Sequence, residues 1–331
     1  MADASGALNG QAMRRVTACP FCDAAAEPAI EAWDRNRETT DERFTYNRCS
    51  ACATVFLTKV PTDLALYYGG GYYGFNADGE PNWRVHPLLL EFEAYRVALL
   101  RRYVEPGALI EIGAGAGGFA AAAKDADFDV TAIEMDSRCC EYLRESVGVN
   151  VVQSNSPLEV LDSLPAARVL AMWHVFEHLS NPAEVLAAAA ERLEPGGILA
   201  IGVPNPDSLQ FRLLGPRWAH LDAPRHLCLV PPAALIERAG TLGLNRVGQT
   251  TNDPFGRHCN VHGWSYALNY RPARRPASAR SLRGRALTSL VKPMERRGQN
   301  GSAILLLFRK EHVGSATLGQ TQTFQYAVDP S

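Results

Sequence analysis

The run Leu109-Ile110-Glu111-Ile112-Gly113-Ala114-Gly115-Ala116-Gly117-Gly118-Phe119 constrains this fold more than any other stretch. A short apolar segment ends in alternating glycines, which open onto the alanine-rich Ala120–Lys124. That order reads as a buried parallel strand, a tight turn and the first turn of a helix. Glycine leaves room for a ligand to approach the backbone, and the helix N-terminus presents unpaired N–H groups to it. The stretch is a loop for a nucleotide-type cofactor.

The surrounding pattern extends this unit into a sheet. Strand character falls near 108–112, 129–134, 150–153, 168–173 and 197–203, with helical spacing near 117–126, 137–147, 182–194 and 231–242. A sixth strand is expected near 244–250, and the apolar Ala303–Arg309 is the last. Strands alternating with helices predict an α/β fold, a doubly wound Rossmann-like parallel sheet closed by a C-terminal antiparallel hairpin. With 331 residues, 47% hydrophobic and 21% charged, the chain has ample material for that core. No apolar run reaches the length of a membrane span. A net charge of −2 gives no global attraction to nucleic acid or membrane.

Eight cysteines bear on the compartment and on a metal. Cys19-Pro20-Phe21-Cys22 and Cys49-Ser50-Ala51-Cys52 form two knuckles, whereas Cys139, Cys140, Cys228 and Cys259 are scattered without pairing logic. Two thiolates from each tight turn complete a closed tetrahedral sulfur site, which predicts a structural zinc ion held by Cys19, Cys22, Cys49 and Cys52. Paired redox thiols are the alternative. The usage predicts a reduced, cytoplasmic protein whose small N-terminal unit depends on metal for its folding.

The expected boundaries follow. Residues 1–15 read as a disordered N-terminus without the apolar core of a signal peptide. Residues 16–60 form the zinc-binding unit, 61–85 a Tyr/Gly-rich linker or lid, 86–310 the α/β domain, and 311–331 a tail. The linker holds Tyr67, Tyr68, Tyr72 and Tyr73 among glycines, the composition of a loop that reaches a ligand or packs on its neighbour. Within the large domain, 271–297 is a basic insertion with eight arginines and the single acid Glu295. It reads as a solvated face, or as contact with an anionic partner.

The glycine turn also fits Gly-x-Gly-x-x-Gly through Gly113, Gly115 and Gly118, and Glu134 follows Gly113 by 21 residues. Both features suit any adenosine-containing cofactor, nicotinamide cofactors included. Glu111 separates the possibilities, because an acid is misplaced beside a pyrophosphate and well placed beside a sulfonium and an ammonium group. The order Glu111-x-Gly-x-Gly-x-Gly, Glu134, Trp173-His174-Val175-Phe176-Glu177-His178-Leu179, then Leu193-Glu194-Pro195-Gly196-Gly197 resembles the class I S-adenosylmethionine-dependent methyltransferases over about residues 86–250. That resemblance implies that Gly113, Gly115 and Gly117 back the methionine and ribose, with Glu111 orienting the ammonium end. It places Glu134 on the ribose hydroxyls, Met135 against adenine, Ser154 near the adenine amino group, and Trp173 and His174 beside the methionine.

The zinc unit, tyrosine linker and methyltransferase core together resemble the zinc-containing sugar C-methyltransferases. The resemblance implies a linker tyrosine (Tyr72 or Tyr73, with Tyr73 preferred), His178 and His226 at the active site. Arg225 stands where that group has an acid, and the group's additional C-terminal domain has no counterpart here. Methyl transfer needs alignment and deprotonation of the acceptor, and histidine is the base for neutral pH. His226 lies in a polar loop, Trp218–Leu227, that also carries Asp222, so the expected catalytic set is His226, His178, Tyr73 and Asp222; His262 is a further histidine after the sixth strand. The expected reaction is C- or O-methylation of a small-molecule acceptor, possibly anionic: a sugar, nucleotide-sugar or natural-product intermediate. The alternatives are an RNA base methyltransferase, which the charge balance disfavours, and a nicotinamide-dependent oxidoreductase. The oligomeric state is left open.

Overall fold

The N-terminal unit and the large domain share one hydrophobic core in the computed structural model, which describes residues 11–68, 72–76, 79–84, 86–269, 282–296 and 299–312. In chain order, the first part holds β1 (Met13–Arg15), β2 (Ala26–Trp33), β3 (Arg43–Cys49), β4 (Val55–Leu57) and β5 (Lys59–Pro61). After the linker come α1 (Pro87–Leu100), β6 (Ala108–Ile112), α2 (Gly118–Asp125), β7 (Asp129–Glu134), α3 (Ser137–Tyr142), β8 (Asn150–Gln153), α4 (Pro157–Leu161) and β9 (Ala167–Trp173). The remainder is α5 (Pro182–Arg192), β10 (Leu193–Pro204), α6 (Leu209–Leu214), β11 (Cys228–Leu229), α7 (Pro232–Thr241), β12 (Leu244–Thr250), α8 (Pro254–Asn269), α9 (Leu282–Arg296) and β13 (Ala303–Lys310).

Seven strands form the main sheet in the order β12-β13-β10-β9-β6-β7-β8. From β8 to β10 every pairing is parallel, while β13 runs antiparallel between β10 and β12. The central strands are buried on both faces, which is why they read as continuous apolar runs rather than alternating ones. Succession reverses between β6 and β9, and the carboxyl ends of these two strands form the crevice in which open parallel sheets bind ligands. The glycine loop follows one of them and His174 the other. Helix starts are fixed locally: Asp136 accepts from the Cys139 amide at α3, and Ser208 from the Phe211 amide at α6.

Several expectations are corrected. Residues 13–15, expected to be disordered, form β1 and pair with β5, which closes the ends of the N-terminal unit on each other. Residues 1–10 and 313–331 lie outside the described residues, as do Gly69–Gly71 of the linker and 271–281 of the basic insertion. The helix expected over 137–147 is α3 followed by a π-turn over 143–147, ended by Gly148 in the left-handed region. β10 begins at Leu193, earlier than the expected 197, because Glu194-Pro195-Gly196-Gly197 forms an irregularity opposite β9. The described part of the insertion is α9, which packs on α8 and buries Glu295 against Gln210 and Trp264.

The N-terminal unit is not a separate bead. β11, from the loop after β10, joins β4 to complete a four-stranded sheet β11-β4-β3-β2. Phe21 packs edge-on against Phe176, with ring centroids 6.3 Å apart. A unit with little core of its own thus obtains one from the larger domain.

Candidate active site

The glycine loop is shaped by two demands. A Cβ at Gly113 would collide with Val175 Cγ2, and one at Gly117 would sit 2.8 Å from Leu143 Cδ2, so both are held by packing as well as by positive φ. Gly115 also has positive φ, but a Cβ there meets only Tyr73 Cδ1, at 4.0 Å. That leaves an open cradle between the loop and the linker. Glu134 lies beside it, its carboxylate accepting from the amides of Gly115 (2.7 Å), Met135 (2.8 Å) and Asp136 (2.9 Å). Burial raises its pKa and those amides oppose the rise. Met135 projects half-exposed from the same turn, and Ser154 donates its amide to the Glu134 carbonyl. The Ser154 hydroxyl caps its own turn at Ser156.

Glu111 is 2% exposed, and its Oε2 has no hydrogen bond. Burial, then the charge of Glu93, pushes its pKa well up, with Arg96 opposing. A buried, unsatisfied carboxyl beside an open glycine cradle fits a cationic ligand end. Trp173 goes into the core, edge-on to Phe119 at 5.2 Å and beneath Arg96. His174 has φ 58° and turns its ring onto Phe255, at 4.3 Å.

Two histidines from distant segments meet at the crevice. His178 and His226 stand edge-to-face with centroids 4.7 Å apart. His226 Nδ1 is 2.7 Å from the His220 carbonyl, which only accepts, so Nδ1 carries a proton and the neutral ring has its lone pair on Nε2. Nε2 lies 3.9 Å from both Glu177 Oε1 and Asp222 Oδ2. His178 Nδ1 faces the Arg225 carbonyl at 2.9 Å and the Tyr68 hydroxyl at 2.8 Å. Burial, reinforced by His226, pushes the His178 pKa down to about 4, which leaves it neutral at pH 7. For Glu177, burial acts upward, but the imidazoles of His174, His226 and His178 outweigh it and hold the carboxyl at about 2.

Asp222 is placed beside His226, but its carboxylate is engaged elsewhere. Arg225, wholly buried, donates Nε to Asp222 Oδ2 (3.0 Å) and Nη2 to Oδ1 (2.7 Å). The same guanidinium bonds both oxygens of Asp34 in the N-terminal unit, at 2.6 and 3.2 Å. Asn36 adds a bond to Asp222 Oδ1 at 2.6 Å. Desolvation would raise the Asp222 pKa, but Arg225 overrides it and holds the carboxylate well below its usual range.

The linker crosses this mouth. Tyr68 reaches His178, Tyr72 stands 4.7 Å from Tyr68 and 5.3 Å from Tyr73, and Tyr73 lies over Gly115. The tyrosine bonded to the histidine pair is Tyr68, while Tyr73, the linker tyrosine expected at the active site, lies over the glycine loop. Residue reading also passed over Glu177, Asp34 and the role of Arg225; the Glu177-His178 pair was the one legible signal. His262 is set back on α8, 6.3 Å from His258. A concavity of about 620 Å³ lies between α1 and α2, away from the histidine pair.

The four cysteines converge as spaced. Cys19 and Cys52 Sγ are 3.6 Å apart, Cys22 and Cys49 3.4 Å, and Cys22 and Cys52 3.3 Å. Four thiolates about 2.3 Å from a tetrahedral ion stand about 3.8 Å apart, so the cluster fits zinc with slight expansion. Asp23 and Ala53, each following the second cysteine of a knuckle, share φ 59°, so the two turns repeat one geometry.

Comparison with known proteins places this crevice. Residues 90–249 match the family described as "Methyltransferase domain". The ubiquinone biosynthesis O-methyltransferase of Bordetella avium is 26% identical over 181 residues, covering 51% of this chain and 73% of its own. That of Colwellia psychrerythraea is 23% identical over 220 residues, covering 60% and 85%. A solved SAM-dependent methyltransferase from Archaeoglobus fulgidus matches 66% of this chain and 94% of its own, with 19% identity and a TM-score of 0.43. Among the described residues no helix is long and apolar enough to cross a membrane. The matched segment carries the glycine loop, Glu111, Glu134 and both histidines of the crevice, and the chain is an S-adenosylmethionine-dependent methyltransferase.

Proposed function

We propose that the enzyme methylates a hydroxylated or CH-acidic small molecule, a sugar, nucleotide-sugar or natural-product intermediate, with His226 as general base. The observation that carries this is the fixed tautomer of His226: its Nδ1 proton is committed to the His220 carbonyl, so Nε2 presents a lone pair at the ligand mouth. S-adenosylmethionine supplies an electrophilic methyl group on a sulfonium. Gly113, Gly115 and Gly117 hold its methionine and ribose, Glu111 orients the ammonium end, Glu134 takes the ribose hydroxyls, and Met135 and Ser154 border the adenine. His174 lies toward the methionine side. His226 removes the acceptor proton, and neutral His178, steadied by Tyr68, orients the acceptor. Asp222 is a positioning residue, fixed by Arg225. Tyr73 covers the cofactor loop. That both relatives are O-methyltransferases favours an oxygen acceptor over carbon.

The four-cysteine cluster holds a structural zinc ion in this reading, supported by its sulfur spacing and paired turns. The small-molecule reading is tested with labelled methyl donor and a panel of hydroxylated acceptors. His226→Gln is expected to lower kcat by about 100-fold or more with cofactor affinity unchanged. Full turnover in that variant overturns the base assignment.

A further inference from the structure

Glu177, His178 and His226 each offer a ligand atom, and these atoms lie within 4.8 Å of one another. Three observations make this more than a catalytic pair with a bystander acid. Both Glu177 oxygens are buried without a hydrogen bond; the nearest ring nitrogens, His174 Nδ1 and His226 Nε2, stand at 3.5 and 3.9 Å. A carboxylate left unsatisfied inside a protein calls for a partner. Both imidazoles also commit Nδ1 to a backbone carbonyl, those of His220 and Arg225, which frees Nε2 for coordination. Ligating histidines are oriented in this way when the other ring nitrogen donates to a backbone carbonyl. Finally, the spacing is close to that of ligands. Donors about 2.1 Å from a shared ion stand about 3.0–3.4 Å apart, so the 3.9 Å between His226 and Glu177 closes with a side-chain rotation.

We propose that Glu177, His178 and His226 form a second metal site, which takes an imidazole-preferring divalent cation such as Zn²⁺, Co²⁺ or Ni²⁺. Two nitrogens and one carboxylate suit these ions over magnesium or calcium. In contrast to the four-cysteine cluster, the site has three protein ligands and open positions, so the ion exchanges. Its ligand set includes the lone pair that removes the acceptor proton. The cation and the acceptor therefore compete, a consequence that rests on the base assignment above, whereas the site itself does not.

The test uses full-length enzyme with its four-cysteine cluster loaded. Zinc is titrated calorimetrically, and Co²⁺ is followed by its visible spectrum. A second equivalent is expected to bind at micromolar concentration, and its cobalt form to lack thiolate-to-metal absorption. Glu177→Gln and His226→Gln are each expected to weaken only this equivalent, by about tenfold or more, with circular dichroism unchanged. His178→Gln serves if either variant fails to fold. Wild-type protein that takes up one equivalent alone, or a second equivalent undiminished in the folded variants, overturns the site. A second equivalent that binds without raising the acceptor KM leaves the site standing and overturns the competition, and with it the role of His226.

Discussion

Arg225 joins two carboxylates that lie 191 and 3 residues away in sequence, Asp34 and Asp222, with no exposure of its own. Breaking a buried ion group from one side leaves uncompensated charge, so Arg225→Ala is expected to cost about 3–5 kcal/mol, measured by urea unfolding. Arg225→Lys keeps a charge but not the fork that serves both acids, and its loss is expected to fall between. A smaller effect is expected at Tyr68. Tyr68→Phe removes one bond to His178 Nδ1 while the Arg225 carbonyl keeps the other. Stability should change by about 1 kcal/mol, and the readout is a raised acceptor KM.

At the scale of elements, the pairing of β4 with β11 ties the four-cysteine unit to the loop proposed to act in catalysis. β11 ends the loop that carries Asp222 and His226, and Leu57 of β4 donates its amide to the Leu227 carbonyl at 2.9 Å. Loss of order in the knuckles therefore loosens that loop. Cys49→Ser is expected to lower both zinc content and melting temperature, and to lower kcat more than it weakens cofactor binding. The glycine loop follows β6, which pairs with neither β4 nor β11, so its affinity serves as the internal control. Equal kcat in the zinc-free variant would show the unit to be a passenger. The linker is the second coupling element, since Tyr67 is buried under the Arg225 network while Trp83 donates to the Ala116 carbonyl of the glycine loop at 2.7 Å.

At the scale of the whole molecule, two half-buried histidines shape the response to acid. Burial, then the charges of His262, His174 and His226, pushes the His220 pKa down to about 3, and His178 falls to about 4. The unfolded chain binds protons on these rings below about pH 6.5 and the folded chain does not, so their stability is full above that pH and is lost as pH falls. Glu111 runs the other way, its raised pKa favouring the folded state as pH falls. The difference between variants isolates one ring. His220→Gln is expected to shrink the stability lost between pH 7 and pH 5 by about 1–2 kcal/mol, read from urea midpoints at the two pH values.

How much was legible in the sequence follows from range. Strand, glycine turn and helix start at 108–118 depend on neighbours a few residues apart, and they stand where periodicity placed them. The knuckles at Cys19–Cys22 and Cys49–Cys52 are local turns too, so their convergence needed only one loop closure. That Tyr68 rather than Tyr73 bonds the histidine pair was not legible, for a different reason. Four tyrosines in one glycine-rich strap are equivalent by composition, and only the path of the strap across the crevice sorts Tyr68 from Tyr73. Asp222 stood in the expected catalytic set, and its engagement was not legible because Asn36 and the Asp34-bound Arg225 link different parts of the fold. The sequence by itself thus determined the parallel sheet, the cofactor loop and the cysteine cluster, each written in short-range spacing. Tertiary structure decided that the His178 and His226 rings touch, that Glu177 lies beside them without a hydrogen bond, and that Asp34 of the N-terminal unit fixes the loop. Those contacts join segments tens to nearly two hundred residues apart, and they exist only where the shared core brings the segments together.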